Sequence, residues 1–396
     1  MDRNKTEQLA VDTVKILACE AVEKAQSGHP GMPMGMAPAA VVLWTRFLRH
    51  DPKDPSWPDR DRFILSAGHG SMLIYSLLHL AGYELSIDDL KDFRQLGSRT
   101  PGHPEYDHPA GVETTTGPLG QGFTNGVGMA AAKRFLAAKF NTPGFPVYNN
   151  TIYAIVSDGD LMEGITSEAA SLAGHLGLGD LVYLYDSNHI SIEGDTALAF
   201  DTEDVLQRFT AYGWHTQEVE GEDREAIAKA IEKAGAVKDK PSIIQVNTKI
   251  GAGLPTREGE AEIHGAPVGA EELARLKKKL GWDGKPDFFV PSEVYDLFAG
   301  QAKKGAGLRD GWLEMMDRYR KELPEKAELL DRFHKPDVPS DLTDQLLKAV
   351  AGDKPVATRS SGARTASRAR QRPGPCPSAF RGVRTGPSRP PRKRGF

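Results

Sequence analysis

Residues 151–164 read TIYAIVSDGDLMEG, an apolar run that ends directly in a cluster of carboxylates among glycines. Two more short apolar runs follow, LVYLYDS at 181–187 and SIIQVNT at 242–248, with helical stretches between them. Each run is apolar on both faces, which is typical of strands buried in a parallel sheet. The sequence therefore predicts an α/β fold, a parallel sheet with helices on both faces.

The carboxylates after the first run have a partner about thirty residues downstream. Asp158 follows the strand at 151–157, the stretch MEGITSEAASLAGHLGLG supplies a crossover helix, and Asn188 follows the next strand. In a right-handed parallel unit both strands end at the same edge of the sheet, where open α/β sheets bind ligands. A carboxylate, an amide oxygen and backbone carbonyls suit Mg2+ or Ca2+ and do not select zinc. A solvated Asp-Gly turn is the alternative, but the spacing favours a metal site that also accepts phosphate oxygens.

A glycine loop, TTTGPLGQGFTNGVGMAAAKRF, occupies residues 114–135. No Gly-Lys-Ser/Thr follows it, which excludes a P-loop, and Asn125 stands where a dinucleotide fingerprint has its third glycine. Because the loop runs into an apolar helix, its backbone N–H groups can approach a polar or anionic ligand closely. The later glycines equally fit close helix packing.

Four of the eleven histidines lie beside glycine in predicted loops. They are His29 in SGHPGMPMG, His69 in SAGHGSMLIY, His103 in RTPGHPE and His264 in EIHGAP. Imidazole titrates near neutrality, so that it can move protons or bind phosphate and hydroxyl groups. These four are the candidate catalytic and binding histidines.

Composition limits the class of protein. The chain has 396 residues, of which 39% are hydrophobic and 26% charged, as in an ordinary globular protein. Its two cysteines, Cys19 and Cys376, are far apart and lack metal-ligand spacing, which makes a disulfide framework improbable. The polar N-terminus does not fit a secretory signal, and no apolar stretch is long enough to cross a bilayer. We expect a cytoplasmic protein with no membrane partner.

Seven stretches resemble, in order and spacing, the successive motifs of the transketolase family. They are SGHPGMP, SAGHGSMLIYSLLHLAGY, GHPE, TTTGPLGQG, SDGDLMEG, DSNHISIEG and IHGAP. The resemblance covers residues 1 to about 359 and implies the thiamine-diphosphate-binding fold. A serine precedes Asp158, and a histidine follows Asn188 where the wider superfamily often has a second asparagine. Neither departure changes a proposed ligand.

The resemblance also implies roles for particular residues. Mg2+, for which Ca2+ or Mn2+ can substitute, would be bound by Asp158, Asn188 and the backbone carbonyl of Ile190. The substrate and its proton transfers would involve His29, His103 and His264. The residues implied to contact thiamine diphosphate are His69, Gly117, Pro118, Leu119, Gly159, Asn188 and His264.

Three further residues complete the implied site. Glu163 and Glu168 resemble members of a carboxylate network that links two cofactor sites across a homodimer. Arg359 resembles the arginine that binds the phosphate of the sugar.

The function implied by the resemblance is that of a transketolase, a transferase. With thiamine diphosphate and Mg2+ it would move a two-carbon glycolaldehyde unit from a ketose phosphate to an aldose phosphate. The sequence does not choose between the pentose phosphate pathway and the Calvin cycle. The alternatives are another thiamine-diphosphate enzyme, such as deoxyxylulose-phosphate synthase or a dehydrogenase component, and a non-catalytic cofactor-binding remnant. The histidine set favours sugar phosphates as partners.

The predicted domains are a cofactor-binding domain at 1–333, a linker with the start of a pyrimidine-binding domain at 334–359, and a basic tail at 360–396. The net charge of −4 divides into −15 before residue 355 and +11 from there onward. So basic a segment, with few large apolar groups, is expected to be disordered in isolation. We further expect that the chain on its own lacks the pyrimidine-binding site of the family and shows no turnover.

The Arg/Pro/Gly/Ser-rich tail has the composition of a GC-rich gene read in the wrong frame. We expect a frameshift or a truncation just after Arg359. Translating the gene in its other two frames tests this, and the absence of a family-like continuation would refute it. A basic arm for nucleic acid or an anionic membrane is the alternative. The tail has no aromatic interleaving beyond Phe380 and Phe396, so nucleic acid is the less favoured partner.

Overall fold

The structure, a computed structural model, describes residues 2–335, 340–351, 356–358 and 360–363. Arg359 and most of the basic tail lie outside the described residues. The predictions made for them therefore stay predictions.

Five parallel strands form the central sheet, in the order β1-β2-β3-β7-β6. Their bounds, with those of a small antiparallel pair β4-β5, are β1 (Arg62–Leu65), β2 (Ile152–Ser157), β3 (Leu181–Ser187), β4 (Ile190–Ser191), β5 (Gly194–Asp195), β6 (His215–Glu220) and β7 (Ser242–Asn247). The three runs predicted as strands from the sequence are β2, β3 and β7. The predicted parallel sheet is confirmed.

Helices occupy most of the remaining described chain. They are α1 (Arg3–Ala25), α2 (Gly31–Val42), α3 (Met72–Ala81), α4 (Ile87–Lys91), α5 (Gln121–Phe140), α6 (Asp158–Met162), α7 (Gly164–Leu176), α8 (Ala197–Phe200), α9 (Val205–Ala211), α10 (Arg224–Ala236), α11 (Ala270–Leu280), α12 (Ser292–Glu322), α13 (Pro324–His334) and α14 (Leu342–Val350). Two 3-10 turns, Gly68–Gly70 and Ala261–His264, carry two of the candidate histidines. None of the described helices is long and apolar enough to cross a bilayer.

The central strands of the sheet are buried on both faces, since successive residues point to opposite sides and each side packs against helices. Ile155 and Leu184 belong to a core that includes residues of α1, α2, α3 and α10. Ala154 and Tyr183 belong to a second core with residues of α5, α7 and α9. Every residue of β2 and of β3 is buried, which explains their apolar sequence on both faces. Helices cover both faces, as predicted.

The chain divides into two compact units. The first comprises Met1–Ala138 and Pro146–Leu313 and contains all seven strands. The second comprises Lys139–Phe145 and the described residues from Glu314 onward; within it the Tyr319 hydroxyl donates a hydrogen bond of 3.0 Å to the Phe140 carbonyl. Apart from Arg359, every candidate site residue lies in the first unit. The domain bounds derived from the sequence stay a prediction.

Candidate functional site

Asp158 and Asn188 meet at the carboxyl ends of β2 and β3, as their spacing predicts. These strands are parallel neighbours, with Ser157 in register with Asp186. Backbone N–H groups of Asn188 and His189 donate to Asp158 Oδ2 over 3.2 and 2.9 Å. Asp158, Asp186, Asn188 and Ile190 are called the metal edge below.

The amide of Asn188 is held in one orientation. Its Nδ2 donates to Asp186 Oδ2 over 2.8 Å, and its Oδ1 accepts the Ile190 N–H over 2.9 Å. The hydroxyl of Thr248 also donates to Asp186. Since an amide oxygen has two acceptor sites, Oδ1 keeps one for a further partner. The metal edge thus presents the amide oxygen, not the amide nitrogen, on the side of Ile190.

The metal edge contains two carboxyl groups, Asp158 and Asp186, whose negative charge is buried when they are ionised. Burial raises the pKa of Asp158 and raises that of Asp186 to about 7. No Lys or Arg in the described part of the chain forms an ion pair with either carboxylate. A divalent cation would offset this charge, since burying an unpaired carboxylate is unfavourable.

The donor set fits an oxygen-preferring ion. It offers a carboxylate, an amide oxygen and a backbone carbonyl, which suit Mg2+ better than zinc. Among the described residues, no group of three or more His, Cys, Asp or Glu side chains is placed to hold a metal. An ion at the metal edge would therefore need oxygens from a bound ligand or water, as Mg2+ commonly does.

Asp160, which the sequence analysis did not select, connects the metal edge to the glycine loop. It is fully buried. Its Oδ1 accepts from Ser66 Oγ at 2.8 Å and from the Gly120 N–H at 2.7 Å, and its Oδ2 accepts from the Ser157 N–H at 3.0 Å. Its place two residues after Asp158 in one glycine-flanked motif is a signal that could have identified it.

Residues 117–120 of the glycine loop lie between the metal edge and His103. Gly117 has φ +139°, and a Cβ built on it would lie 3.2 Å from the His103 ring. A Cβ on Gly159 would lie 2.9 Å from Leu119. Pro118 is exposed. The predicted cofactor-lining residues are therefore contiguous, and two glycines make the close approaches possible.

The four candidate histidines come together although they lie on separate segments of the chain. The ring centroid of His29 is 5.3 Å from that of His69, 6.4 Å from that of His103 and 5.7 Å from that of His264. His69 and His264 stack with centroids 4.9 Å apart and planes 22° apart. These four residues are called the histidine cluster below. The 3-10 turn that carries His264 contacts β4, the strand that begins at Ile190.

Burial favours the uncharged form of all four imidazoles in the histidine cluster. Burial, with smaller contributions from the other histidines of the cluster and, for His29, from Arg94, lowers the pKa of His29 to about 4 and that of His69 well below its ordinary value. Burial also lowers the pKa values of His103 and His264. Within the described residues, the imidazoles of His69, His103 and His264 form no hydrogen bond. Neutral rings with free nitrogens can both donate to and accept from a bound ligand.

Arg94 is a second residue that the sequence analysis missed. Its Nη2 donates to His29 Nδ1 over 3.3 Å. With Gly102 and His103 it lines an open cavity of about 600 Å³. No local pattern distinguished this arginine from Arg99, because only folding brings it against a histidine 65 residues away.

Two predicted residues lie outside the metal edge and the histidine cluster, and one of them, Glu163, lies beside Gly120 of the glycine loop. Glu163 precedes α7 and Glu168 lies on it, and both are exposed in the single chain. Ile165 and Leu172 of the same helix are also exposed, at 36% and 50%. The roles of all the predicted site residues stay predictions.

A comparison with family models matches residues 6–339 to "Transketolase, thiamine diphosphate binding domain". Among curated proteins, the chain is 54% identical over 357 residues to the transketolase of Geobacillus stearothermophilus, covering 90% of this chain and 53% of that protein. It is 50% identical over 356 residues to transketolase 1 of Saccharomyces cerevisiae, covering 89% and 52% respectively. The chain thus spans about half the length of the relatives it matches.

Solved structures match equally well. The transketolase of Leishmania mexicana aligns with a TM-score of 0.86 at 43% identity, covering 92% of this chain and 54% of that one. A Pichia stipitis transketolase in complex with sedoheptulose 7-phosphate aligns with a TM-score of 0.85 at 44% identity, covering 92% and 54% respectively. These structures confirm the predicted thiamine-diphosphate-binding fold, and the chain belongs to the transketolase family through its thiamine diphosphate binding domain.

Proposed function

We propose that this chain binds the diphosphate end of thiamine diphosphate through Mg2+ at the metal edge. The observation that carries the proposal is the pair of buried carboxyl groups, Asp158 and Asp186, joined through Asn188 with no Lys or Arg of the described residues paired to either. Asp158, Asn188 and the Ile190 carbonyl would hold the ion. The glycine loop would lie along the phosphates, because Gly159 and Leu119 are in contact beside Asp158.

The substrate class we propose is a pair of sugar phosphates, a ketose donor and an aldose acceptor. Solved relatives hold sedoheptulose 7-phosphate, fructose 6-phosphate and xylulose 5-phosphate. When bound, the cofactor supplies the electron sink for breaking and forming a carbon–carbon bond, as in a transketolase. The histidine cluster would orient the sugar hydroxyls and exchange protons with them through neutral imidazoles.

The complete enzyme would work as a cytoplasmic homodimer. The exposed side of α7, which carries Ile165, Glu168 and Leu172, supports an interface there, because adjacent exposed apolar side chains are typical of contact surfaces. Glu163 and Glu168 would then meet their counterparts across that interface. Arg359, outside the described residues, would bind the sugar phosphate.

Titration calorimetry on this chain tests the cofactor site. We expect thiamine diphosphate to bind only with Mg2+ present, and thiamine, which lacks the diphosphate, not to bind. Asp158→Ala should lower the affinity by at least about a hundredfold, since it removes the one charged ligand of the ion. The exposed Asp201, changed to Ala, is the control. Unchanged affinity in Asp158→Ala would remove Asp158 from the site.

A second experiment tests the histidine cluster in an in-frame, full-length enzyme. His103→Ala should reduce the turnover of xylulose 5-phosphate with ribose 5-phosphate while it leaves cofactor affinity largely intact. If cofactor binding collapsed as well, His103 would belong to the cofactor site and not to the substrate site.

A further inference from the structure

Arg94 makes two side-chain hydrogen bonds, and both fix its guanidinium beside His29. Nη1 donates to Ser27 Oγ over 2.8 Å, and Nη2 donates to His29 Nδ1 over 3.3 Å. A guanidinium carries only donors and stays protonated in proteins. The acceptor Nδ1 of His29 must therefore carry a lone pair and no proton.

The backbone around Arg94 holds this geometry. Arg94 has φ +61°, in the left-handed region that non-glycine residues rarely adopt. Its N–H donates to the Thr100 carbonyl over 3.0 Å. Gly102 packs against the guanidinium, since a Cβ built on it would lie 3.0 Å from Nε. Such an unfavourable conformation persists where the surroundings impose it, which is frequent at functional sites.

The positive charge of Arg94 is not paired with a carboxylate of the described residues. Within the described residues it forms no ion pair, and its buried Nε has no hydrogen-bond partner. The positive charge instead opposes protonation of two histidines. It lowers the pKa of His29, to which burial and His264 contribute more, and it lowers the pKa of His103, to which burial contributes more. His29 is thus held neutral as well as oriented.

We propose that Arg94 is a positioning residue that fixes His29 in the tautomer with its proton on Nε2, so that His29 presents an N–H donor to the ligand. Gly265 lies beside Nε2, since a Cβ built on it would be 3.4 Å from this atom, and in the described residues no protein group accepts a hydrogen bond from Nε2. His29 then donates a hydrogen bond to a ligand oxygen and does not accept a proton at Nε2. The identification of the ligand as a sugar phosphate rests on the proposed function, whereas the assignment of the tautomer does not depend on it.

Nitrogen-15 NMR of this chain, labelled at histidine and without ligand, tests the tautomer directly. The signals of His29 are assigned by their loss in His29→Gln. We expect a protonated Nε2 and an unprotonated Nδ1 in the unmodified chain and in Arg94→Lys. Arg94→Glu replaces the donor by an acceptor and should move the proton to Nδ1. Arg99→Glu, at a half-exposed arginine nearby that lies outside the cluster, should leave His29 unchanged.

A protonated Nδ1 in the unmodified chain would overturn the proposal, and so would an unaltered tautomer in a folded Arg94→Glu. Amide correlation spectra establish that each variant is folded. If Arg94→Glu does not fold, the spectrum of the unmodified chain still decides the outcome. Failure of thiamine diphosphate to bind in calorimetry would refute the proposed function and leave the tautomer assignment standing, so the two failures are distinguishable.

Discussion

The metal edge and the histidine cluster lie on either side of the glycine loop and are assembled differently. The metal edge comes from one strand-helix-strand unit, residues 158–190, and its polar atoms are bonded to one another. The histidine cluster comes from loops between residues 29 and 264, and its only hydrogen bond to a described side chain comes from Arg94. The first is a network of buried carboxyl and amide groups, and the second is a group of imidazoles, three of which form no hydrogen bond within the described residues.

Under the proposed function, this difference would let one site combine two kinds of chemistry. A cation needs charge held at a fixed place, which a network anchored to two strand ends provides. Proton transfer and hydroxyl recognition need groups that are not already committed, which neutral imidazoles provide. Substitutions in the two regions should therefore have different measurable effects.

The largest effect on stability is expected at Asp160, which anchors the metal edge to the glycine loop. Asp160→Ala leaves buried donors of Ser66, Gly120 and Ser157 without their acceptor, and it should cost about 3 kcal/mol of unfolding free energy. Urea denaturation measures this loss. Asp201→Ala at an exposed position should be neutral, and an equal loss in both variants would contradict a specific role for Asp160.

The next largest effect is expected at Gly117, where the glycine loop meets the histidine cluster. Gly117→Ala places a methyl group 3.2 Å from the His103 ring at a φ of +139°. It should cost about 1–2 kcal/mol of unfolding free energy and shift the His103 ring signals in NMR. Gly307→Ala in α12, where a Cβ meets nothing within 4 Å, should instead add about 0.5–1 kcal/mol. Undisturbed His103 signals would show that the contact is not tight.

A gradual effect is expected from pH, and it isolates the histidine cluster. The folded chain keeps His69 neutral because its pKa lies well below the ordinary value, with His29, His103 and His264 opposing its protonation. The unfolded chain takes up that proton as the pH falls below about 6.5. The contribution of His69 to stability should therefore be unaffected above this pH and should fall below it.

Denaturation of the unmodified chain and of His69→Gln between pH 7.5 and 4.5 tests this expectation. The variant should lose less stability on acidification, whereas His175→Gln, at an exposed histidine of α7, should follow the unmodified chain. Parallel pH profiles for all three proteins would show that His69 is not held neutral.

The smallest effect is expected at Glu168, which contacts neither region. Because its side chain is exposed on α7, Glu168→Gln should change the unfolding free energy of this chain by less than about 0.5 kcal/mol. Under the proposed homodimer it should weaken association of the full-length enzyme, which sedimentation velocity detects. A large loss of stability in this chain would assign Glu168 to its own fold.

Much of the metal edge could be predicted from the sequence because its geometry is local. Apolar runs predicted β2 and β3, and parallel neighbours bring Asp158 and Asn188 to one edge whatever the rest of the chain does. The histidines could be selected only as loop residues beside glycine. Asp160 and Arg94 were missed, since their roles depend on Gly120 and His29, partners distant in sequence.

Apolar runs and spacing thus predicted the parallel α/β fold and the meeting of Asp158 with Asn188, because both depend on short apolar strands and on one crossover connection. Folding in three dimensions was needed to bring four histidines within one cluster, to lower their pKa values by burial and to set Arg94 against His29 Nδ1. Ring distances, burial and tautomers depend on which distant segments pack together. Such contacts leave no periodic trace in a single sequence.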